Sequence, residues 1–247
     1  MHVLLVPGFW LQGDSWREVV PVLERAGHTV EAVTPLGLVS RNTDRASIGL
    51  ADQAAALVAR LDELAAGGAD SGNARAAPVV LVGHSGGGAL VQLAADARPA
   101  RVARVVYVDA GPLPDGECVN DRLPVVDGEV PLPEWSFFDE SELAGLDEAT
   151  LERFRAGAVP EPVGVTRDPV RLHDRRRLDV PTTIIASTMT AAQLAQWIDA
   201  EVPFASELAR LRALDIVDLP TGHWPQFSRP EALGQAIVDA IAEPDEP

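Results

Sequence analysis

The chain has 247 residues, of which 47% are hydrophobic and 5% aromatic, enough apolar material for one sizeable α/β domain with an aliphatic core. Its formal net charge of −17, with arginine but no lysine among the basic residues, argues against phosphate-bearing partners, so we expect neither nucleic acid nor a membrane surface as a partner. A single cysteine, Cys118, excludes an internal disulfide framework and a thiolate zinc cluster.

Short apolar runs alternate with helix-forming segments along most of the chain. The first run opens the sequence without the charged start of a signal peptide, and no run approaches the roughly 20 apolar residues of a membrane span, so we expect a cytoplasmic protein. The predicted strands cover residues 2–6, 28–34, 79–82, 102–108, 181–187 and 213–219. The predicted helices cover residues 16–26, 46–66, 89–97, 191–200 and 230–242, and a polar connection covers 67–78. This alternation predicts a doubly wound, mostly parallel sheet in a single α/β domain over residues 1–247.

Residues 111–178, called the insertion below, interrupt the alternation. They carry many prolines, an apolar cluster of Trp135, Phe137 and Phe138, and one predicted helix over 139–156, with no predicted strand. A segment of this length between two sheet strands is either functional or disordered, and its aromatic residues argue against disorder. We interpret the insertion as a lid over the functional site; the alternative is a surface loop.

A serine lies where the third predicted strand meets its helix. Gly83-His84-Ser85-Gly86-Gly87 matches the pattern Gly-x-Ser-x-Gly between an apolar run and a helix-forming segment. At such a sharp turn the serine hydroxyl points off the edge of the sheet, where the N–H of the next residue can stabilise an oxyanion. The motif predicts Ser85 as a nucleophile, the alternative being an ordinary glycine-rich turn.

Five histidines compete for the role of the base that activates this serine. His2 and His28 start strands, whereas ligand sites in parallel sheets gather at the carboxyl ends of strands. His84 is adjacent to the serine, but side-chain alternation along the strand turns it away, and His173 lies in the insertion. His223 follows the last strand in a loop at the carboxyl edge, so we predict His223 as the base.

An oxyanion hole needs a second backbone donor besides the one that follows the serine. Pro7-Gly8-Phe9-Trp10 follows the first strand, which a doubly wound sheet places beside the serine strand. The backbone N–H groups of Phe9 and Gly86 are therefore the predicted pair of donors.

These segments together resemble the α/β-hydrolase family over the whole chain. The opening, residues 6–10 with Gly13-Asp14-Ser15-Trp16, is similar to the His-Gly-x…Gly-x-Ser-Trp opening of the small esterase and hydroxynitrile-lyase branch, with Pro7 replacing the usual histidine. Gly222-His223-Trp224-Pro225 resembles the terminal histidine loop of the family. The resemblance implies a Ser-His-acid triad acting on an ester, thioester, amide or lactone carbonyl, with neither cofactor nor metal.

The acid of this triad departs from the pattern of the family. The usual position follows the strand 181–187, but Thr188-Met189-Thr190 contains no carboxylate. The strand 102–108 ends at Asp109, and some family members place the acid there, so we predict Asp109 as the acid. Two alternatives are that Asp109 only hydrogen-bonds the loop it opens, and that Thr188 or Thr190 stands in the place of the acid.

Aromatic residues near the predicted site indicate an apolar substrate pocket, with Trp10, Trp135, Phe137, Phe138 and Trp224 as its candidate lining. We therefore expect a serine hydrolase of carboxylesterase or lactonase type whose partner is a small, largely apolar substrate. A lyase or isomerase using the same serine and histidine is an alternative, and such an enzyme usually needs a cation in the pocket. A non-catalytic ligand-binding protein is the other. The sequence leaves the substrate and the oligomeric state open.

Overall fold

The computed structural model describes residues 1–67 and 78–242, so the predicted connection at 67–78 lies outside the described residues except at its ends. The main strands are β1 (His2–Val6), β2 (Thr29–Ala32), β3 (Val79–His84), β4 (Val102–Val108), β7 (Thr182–Ala186) and β8 (Leu214–Asp218). They form one six-stranded sheet in the order β2-β1-β3-β4-β7-β8, and every neighbouring pair is parallel. The predicted parallel α/β fold is thereby confirmed.

Helices cover both faces of this sheet. They are α1 (Val20–Arg25), α2 (Leu50–Gly67), α3 (Gly87–Ala97), α4 (Glu148–Gly157), α5 (Val163–Arg167), α6 (Ala191–Asp199), α7 (Pro225–Ser228) and α8 (Pro230–Ile241). Helix α1 packs against α8, and α2 packs against α3. Within the described ranges no helix is long and apolar enough to cross a membrane.

Side-chain alternation along β1 shows why the strands are apolar throughout. Val3 and Leu5 belong to one buried cluster, which includes residues of α1 and α8, whereas Leu4 and Val6 belong to a second, which includes residues of α2 and α3. Successive side chains of a strand point to opposite faces, so a strand buried on both faces needs an unbroken apolar run.

Two predicted helices begin later than expected. The predicted helix 16–26 is split into a 3₁₀ turn, Gly13–Trp16, and α1, because Pro21 fits only the first turn of a helix. The predicted helix 46–66 begins at Leu50, where the Gly49 N–H donates to the Asp52 carboxylate and the Leu50 N–H to the Asp168 carboxylate. Such caps satisfy the unpaired N–H groups of a first turn and set the start of a helix.

The insertion differs from its prediction in three respects, the first being a second helix, α5, that the sequence did not predict. Its predicted helix, 139–156, is limited to α4, because the Asp147 side chain caps the first turn by accepting from the Thr150 N–H. It also contains two short strands that the sequence did not predict, β5 (Glu129–Val130) and β6 (Glu161–Pro162), which pair antiparallel. Two residues are too few to show an alternating pattern, so sequence periodicity could not reveal them.

Candidate active site

Ser85 lies on a sharp turn between β3 and α3. Its φ is +49°, in the left-handed region that non-glycine residues rarely occupy. A Cβ added at Gly83 would lie 2.7 Å from the Gly87 carbonyl oxygen, so the crossing of strand and helix leaves no room for a side chain there. The local sequence therefore forces the turn and leaves the serine at its tip.

His223 lies beside Ser85, with its Nε2 2.8 Å from the serine Oγ. The loop that carries His223 is held on both sides, because its N–H donates to the Glu142 carbonyl oxygen at 2.7 Å and its carbonyl accepts from His84 Nε2 at 2.6 Å. The backbone of the insertion also crowds Gly222, where an added Cβ would lie 2.6 Å from the Ala144 carbonyl oxygen. The insertion thus helps to orient the histidine.

His84 supports this loop instead of facing the serine hydroxyl. It is completely buried, and it contacts the His223 carbonyl as well as the Gln226 side chain. Burial and, to a lesser degree, the nearby His223 lower the pKa of His84 to about 3. A neutral His84 carries its proton on Nε2, since the carbonyl it contacts can only accept.

Asp109 lies on the other side of the His223 ring, with its Oδ2 2.6 Å from Nδ1. Its carboxylate also accepts from the backbone N–H groups of Ser187 and Thr188 and from the Thr188 hydroxyl. Burial alone would raise the pKa of Asp109, but the hydrogen bond and charge of His223, together with the bonds from Thr188, lower it below its ordinary value. The group is therefore held as a carboxylate.

Other candidates for the acid lie elsewhere. Thr188 donates its hydroxyl to Asp109, and Thr190 caps α6 by accepting from the Gln193 N–H. Asp218 is exposed and accepts from the Ala191 N–H, and Asp199 is exposed at the end of α6. Because β4 and β7 are neighbours, the Asp109 side chain reaches the end of β7, where a carboxylate was missing.

The turns that follow β1 and β3, which carry the two predicted oxyanion donors, pack against each other. A Cβ added at Gly86 would lie 2.6 Å from Phe9 Cδ1, and one added at Gly8 would lie 2.9 Å from Ser85 Cβ. The Phe9 and Gly86 N–H groups donate no hydrogen bond to any residue of the described chain. Both donors are thus available to a ligand.

The serine is one of three residues with strained backbones at this edge of the sheet. Trp10, Ser85 and Asp109 follow β1, β3 and β4, with φ values of +67°, +49° and +44°. For residues other than glycine this region costs roughly 1–2 kcal/mol each. Since these strands are neighbours, the strained turns meet at one edge of the sheet, as strain characteristically does at functional sites.

The strained turns open into a cavity of about 260 Å³. Of the residues predicted to line it, Trp10, Phe137, Phe138 and Trp224 do so. Trp135 is not among the residues of the described lining, and its ring packs against Phe138, Phe154 and Trp224. A tryptophan ring can be buried against other aromatic rings or can contact a ligand, and the sequence does not distinguish these two cases.

Sequence reasoning missed several lining residues, namely Ala89, Leu113, Val119, Asn120, Leu123, Glu142, Met189 and Phe204. Met189 follows β7, and its place at a carboxyl strand end could have identified it. The lining residues that belong to the insertion follow no periodic pattern in the sequence. The charged residues of the described lining are Asp109 and Glu142, besides the titratable His223, and it contains no arginine.

A second buried carboxyl, Glu161, was also missed. Its side chain is only 1% exposed, and its Oε1 accepts from the Trp10 N–H at 2.7 Å. Burial raises the pKa of Glu161 to about 8, partly offset by the bond from Trp10 and attraction to Arg45. Among the described residues, no group of three or more His, Cys, Asp or Glu side chains is placed to hold a metal ion.

Comparison with known proteins places this site in context. The sequence model of the alpha/beta hydrolase family matches residues 3–236. A pyrethroid hydrolase of Sphingobium wenxiniae is 25% identical over 260 aligned positions that cover 99% of this chain and 89% of that protein. Salicylic acid-binding protein 2 of Nicotiana tabacum is 33% identical over 135 positions, covering 50% of this chain and 47% of that protein.

Solved structures agree with the fold. An extracellular alpha/beta-hydrolase from a Paenibacillus species superimposes with a TM-score of 0.75 at 19% identity, covering 97% of this chain and 98% of that one. At this identity the likeness concerns the fold alone.

Proposed function

The chain belongs to the alpha/beta hydrolase family, and we propose that it is a serine hydrolase that cleaves an ester or lactone of a small, largely apolar substrate. The observation that carries the proposal is the continuous set of contacts from Ser85 through His223 to Asp109 at the edge of an apolar cavity. A pyrethroid hydrolase that matches 99% of the chain supports the same reaction class.

Acylation follows from the two contacts of the His223 ring. Asp109 accepts the Nδ1–H, which leaves the Nε2 lone pair directed at the Ser85 hydroxyl. As the serine oxygen attacks the substrate carbonyl, Nε2 takes its proton, and Asp109 stabilises the resulting imidazolium. The same proton then goes to the leaving alcohol, and a water molecule activated by His223 hydrolyses the acyl-enzyme.

The oxyanion of each tetrahedral intermediate is assigned to the N–H groups of Phe9 and Gly86. Neither has an acceptor within the described chain, so neither must break an existing bond as charge develops on the carbonyl oxygen. A preorganised donor of this kind raises kcat by a factor of roughly 10²–10³. The arrangement therefore supplies a nucleophile, a base, an acid partner and oxyanion donors.

The cavity favours an uncharged substrate. Its volume of about 260 Å³ is at the small end of ligand pockets, and most of its lining is aliphatic or aromatic. Asp109 and Glu142 give it negative charge without an arginine in the described lining, so a carboxylate anion is disfavoured there. An acid released by ester cleavage would be repelled, which assists product release.

Two other function classes remain, a lyase or isomerase and a non-catalytic binding protein, and different observations bear on each. A lyase or isomerase of this kind usually needs a cation in the pocket, and the described lining contains none apart from a protonated His223. Ligand binding without turnover stays a second candidate because one relative is named a salicylic acid-binding protein. Turnover measurements distinguish the two.

The test is hydrolysis of p-nitrophenyl butyrate by the purified protein and by Ser85→Ala. We expect saturable turnover by the wild type and a loss of kcat of roughly 10⁴–10⁶ in the variant. A fluorophosphonate should add covalently to Ser85, as located by mass spectrometry. Saturable ligand binding with no turnover of any ester or lactone would contradict the proposal, as would a Ser85→Ala variant that keeps most of the activity.

A further inference from the structure

Trp10, the strained residue after β1, is held by the insertion at every polar group it has. Its N–H donates to Glu161 Oε1 at 2.7 Å, and its carbonyl accepts from the Val159 N–H at 3.0 Å. Its indole N–H donates to the Val130 carbonyl oxygen at 3.0 Å. A bulky residue at a φ of +67° persists only where surrounding contacts impose that conformation, and here the contacts come from β5, β6 and the segment before β6.

Of the three residues that hydrogen-bond Trp10, Glu161 is the one that does so with its side chain, whereas Val130 and Val159 use backbone groups. Its side chain is buried, and its Oε2 has no hydrogen-bond partner among the described residues. Burying a carboxyl with one half of its hydrogen-bonding capacity unused is unfavourable. A glutamate at this position therefore lowers the stability of the fold. This points to a contribution to function, made through its hydrogen bond to the Trp10 N–H.

The Trp10 N–H belongs to the peptide group between Phe9 and Trp10. This group shares the Phe9 Cα with the peptide that carries the Phe9 N–H, so only the φ and ψ of Phe9 separate the orientations of the two planar groups. The preceding residue, Gly8, is packed against Ser85, and the Phe9 ring lies over Gly86. Both ends of the short turn are thereby fixed, one by the serine turn and the other by Glu161.

We propose that Glu161 is a positioning residue that, through its bond to the Trp10 N–H, directs the Phe9 N–H at the substrate carbonyl oxygen held at Ser85. The inference rests on the proposed hydrolase function and deepens it, since it assigns to the insertion a part in transition-state stabilisation. Paired strands β5 and β6 carry Glu161 to the turn, so the geometry of the oxyanion donor depends on a contact between residues 151 positions apart.

The kinetic test compares Glu161→Leu, which removes the acceptor, with Glu161→Gln, which keeps one. With p-nitrophenyl butyrate we expect Glu161→Leu to lose about 10–100-fold in kcat with KM changed less than threefold, because the donor matters more in the transition state than in the ground state. Affinity for a trifluoromethyl ketone, which forms an oxyanion on Ser85, should fall by a similar factor. Glu161→Gln should keep kcat within about threefold.

The matched control is Glu129→Gln. Glu129 lies on the paired strand β5 and bonds Arg45, but among the described residues its side chain makes no hydrogen bond to Trp10. We expect its kcat to stay within about twofold of wild type. Equal kcat losses in Glu129→Gln and Glu161→Leu would overturn the proposal, because the effect would then belong to the β5–β6 pair as a whole. A kcat for Glu161→Leu within threefold of wild type would also overturn it.

Amide hydrogen exchange of the wild type tests the contact without any substrate or variant. The Trp10 amide should exchange at least about a hundredfold more slowly than the Phe9 amide, which has no acceptor in the described chain. Equal exchange of the two would overturn the proposal even if Glu161→Leu failed to fold. If the wild type exchanges as expected but hydrolyses no ester, the proposed function fails while the contact on the turn stands.

Discussion

Asp109 and Glu161 are two buried carboxyl groups that the fold treats in opposite ways. Asp109 follows β4 and accepts hydrogen bonds from Ser187, Thr188 and His223. Glu161 lies in β6, on the insertion, and accepts from the Trp10 N–H alone among the described residues. The pKa of Asp109 is lowered, whereas burial raises that of Glu161 to about 8.

The hydrogen-bond donors around Asp109, together with the charge of His223, outweigh the effect of its burial, whereas the single donor and the Arg45 charge near Glu161 do not. Several N–H and O–H groups replace the water that a carboxylate loses on burial, but a single N–H does not. The charged group lies where the proposed mechanism needs a negative charge to stabilise an imidazolium. The neutral group lies near the proposed oxyanion donors, where a second negative charge would oppose the one that forms in the reaction.

Among changes to the two carboxyl groups, the largest expected effect comes from removing the charge of Asp109. Asp109→Asn keeps an oxygen for the Ser187 and Thr188 N–H groups, and asparagine tolerates the left-handed φ of this position. Its amide would favour the wrong His223 tautomer, so we expect kcat to fall by roughly 10²–10⁴ with the melting temperature changed by only a few degrees.

The control for this variant is Asp218→Asn, which alters an exposed carboxylate at the end of β8 whose one hydrogen bond within the described chain is to the start of α6. Steady-state kinetics should show near wild-type kcat for it. A large loss in Asp218→Asn, with Asp109→Asn close to wild type, would transfer the role of the acid to the end of β8.

Next in size is the pH dependence of stability caused by Glu161. The folded state keeps the proton up to about pH 8, whereas the unfolded chain releases it near the ordinary value of 4.5, so stability should fall as pH rises through this window. Relative to Glu161→Gln, the wild type should lose up to about 1.4 kcal/mol per pH unit between pH 5 and 8. Urea unfolding of both proteins at several pH values measures the difference.

Asp109 should show the reverse dependence. Its lowered pKa stabilises the fold above the ordinary value of 3.8, and that contribution should disappear as the solution is acidified below it.

A constant stability difference between wild type and Glu161→Gln from pH 5 to 8 would mean that Glu161 is buried with its charge. The contrast between the two carboxyls would then disappear.

The smallest expected effect is the loss of one donor to Asp109. Thr188→Val removes the hydroxyl that donates to the carboxylate but preserves the shape of the side chain. We expect kcat/KM to fall by about tenfold or less, because one charge-assisted hydrogen bond is lost while the backbone donors remain. Ser187→Ala is the matched control, since the Ser187 hydroxyl has no partner among the described residues. Equal losses in the two variants would contradict the donor-count argument.

The sequence determined the features that depend on short stretches of chain. Alternating strands and helices predicted the parallel sheet, and the glycine-flanked Ser85 predicted the turn, because both follow from local periodicity and local crowding. The predicted sheet topology also indicated His223 and Asp109, because the carboxyl ends of parallel strands meet at one edge of the sheet. The structure places both side chains in contact, Nδ1 to Oδ2 at 2.6 Å.

Only the tertiary structure decided what the insertion does. Trp135 was predicted as a pocket residue yet packs against other aromatic rings, and Glu161, which no sequence pattern singled out, is buried against Trp10. The pairing of β5 with β6 brings residues some 30 positions apart together, and neither strand is long enough to leave a pattern. Burial and pKa depend on such distant contacts because each group responds to whatever donors surround it in space, whichever part of the chain supplies them.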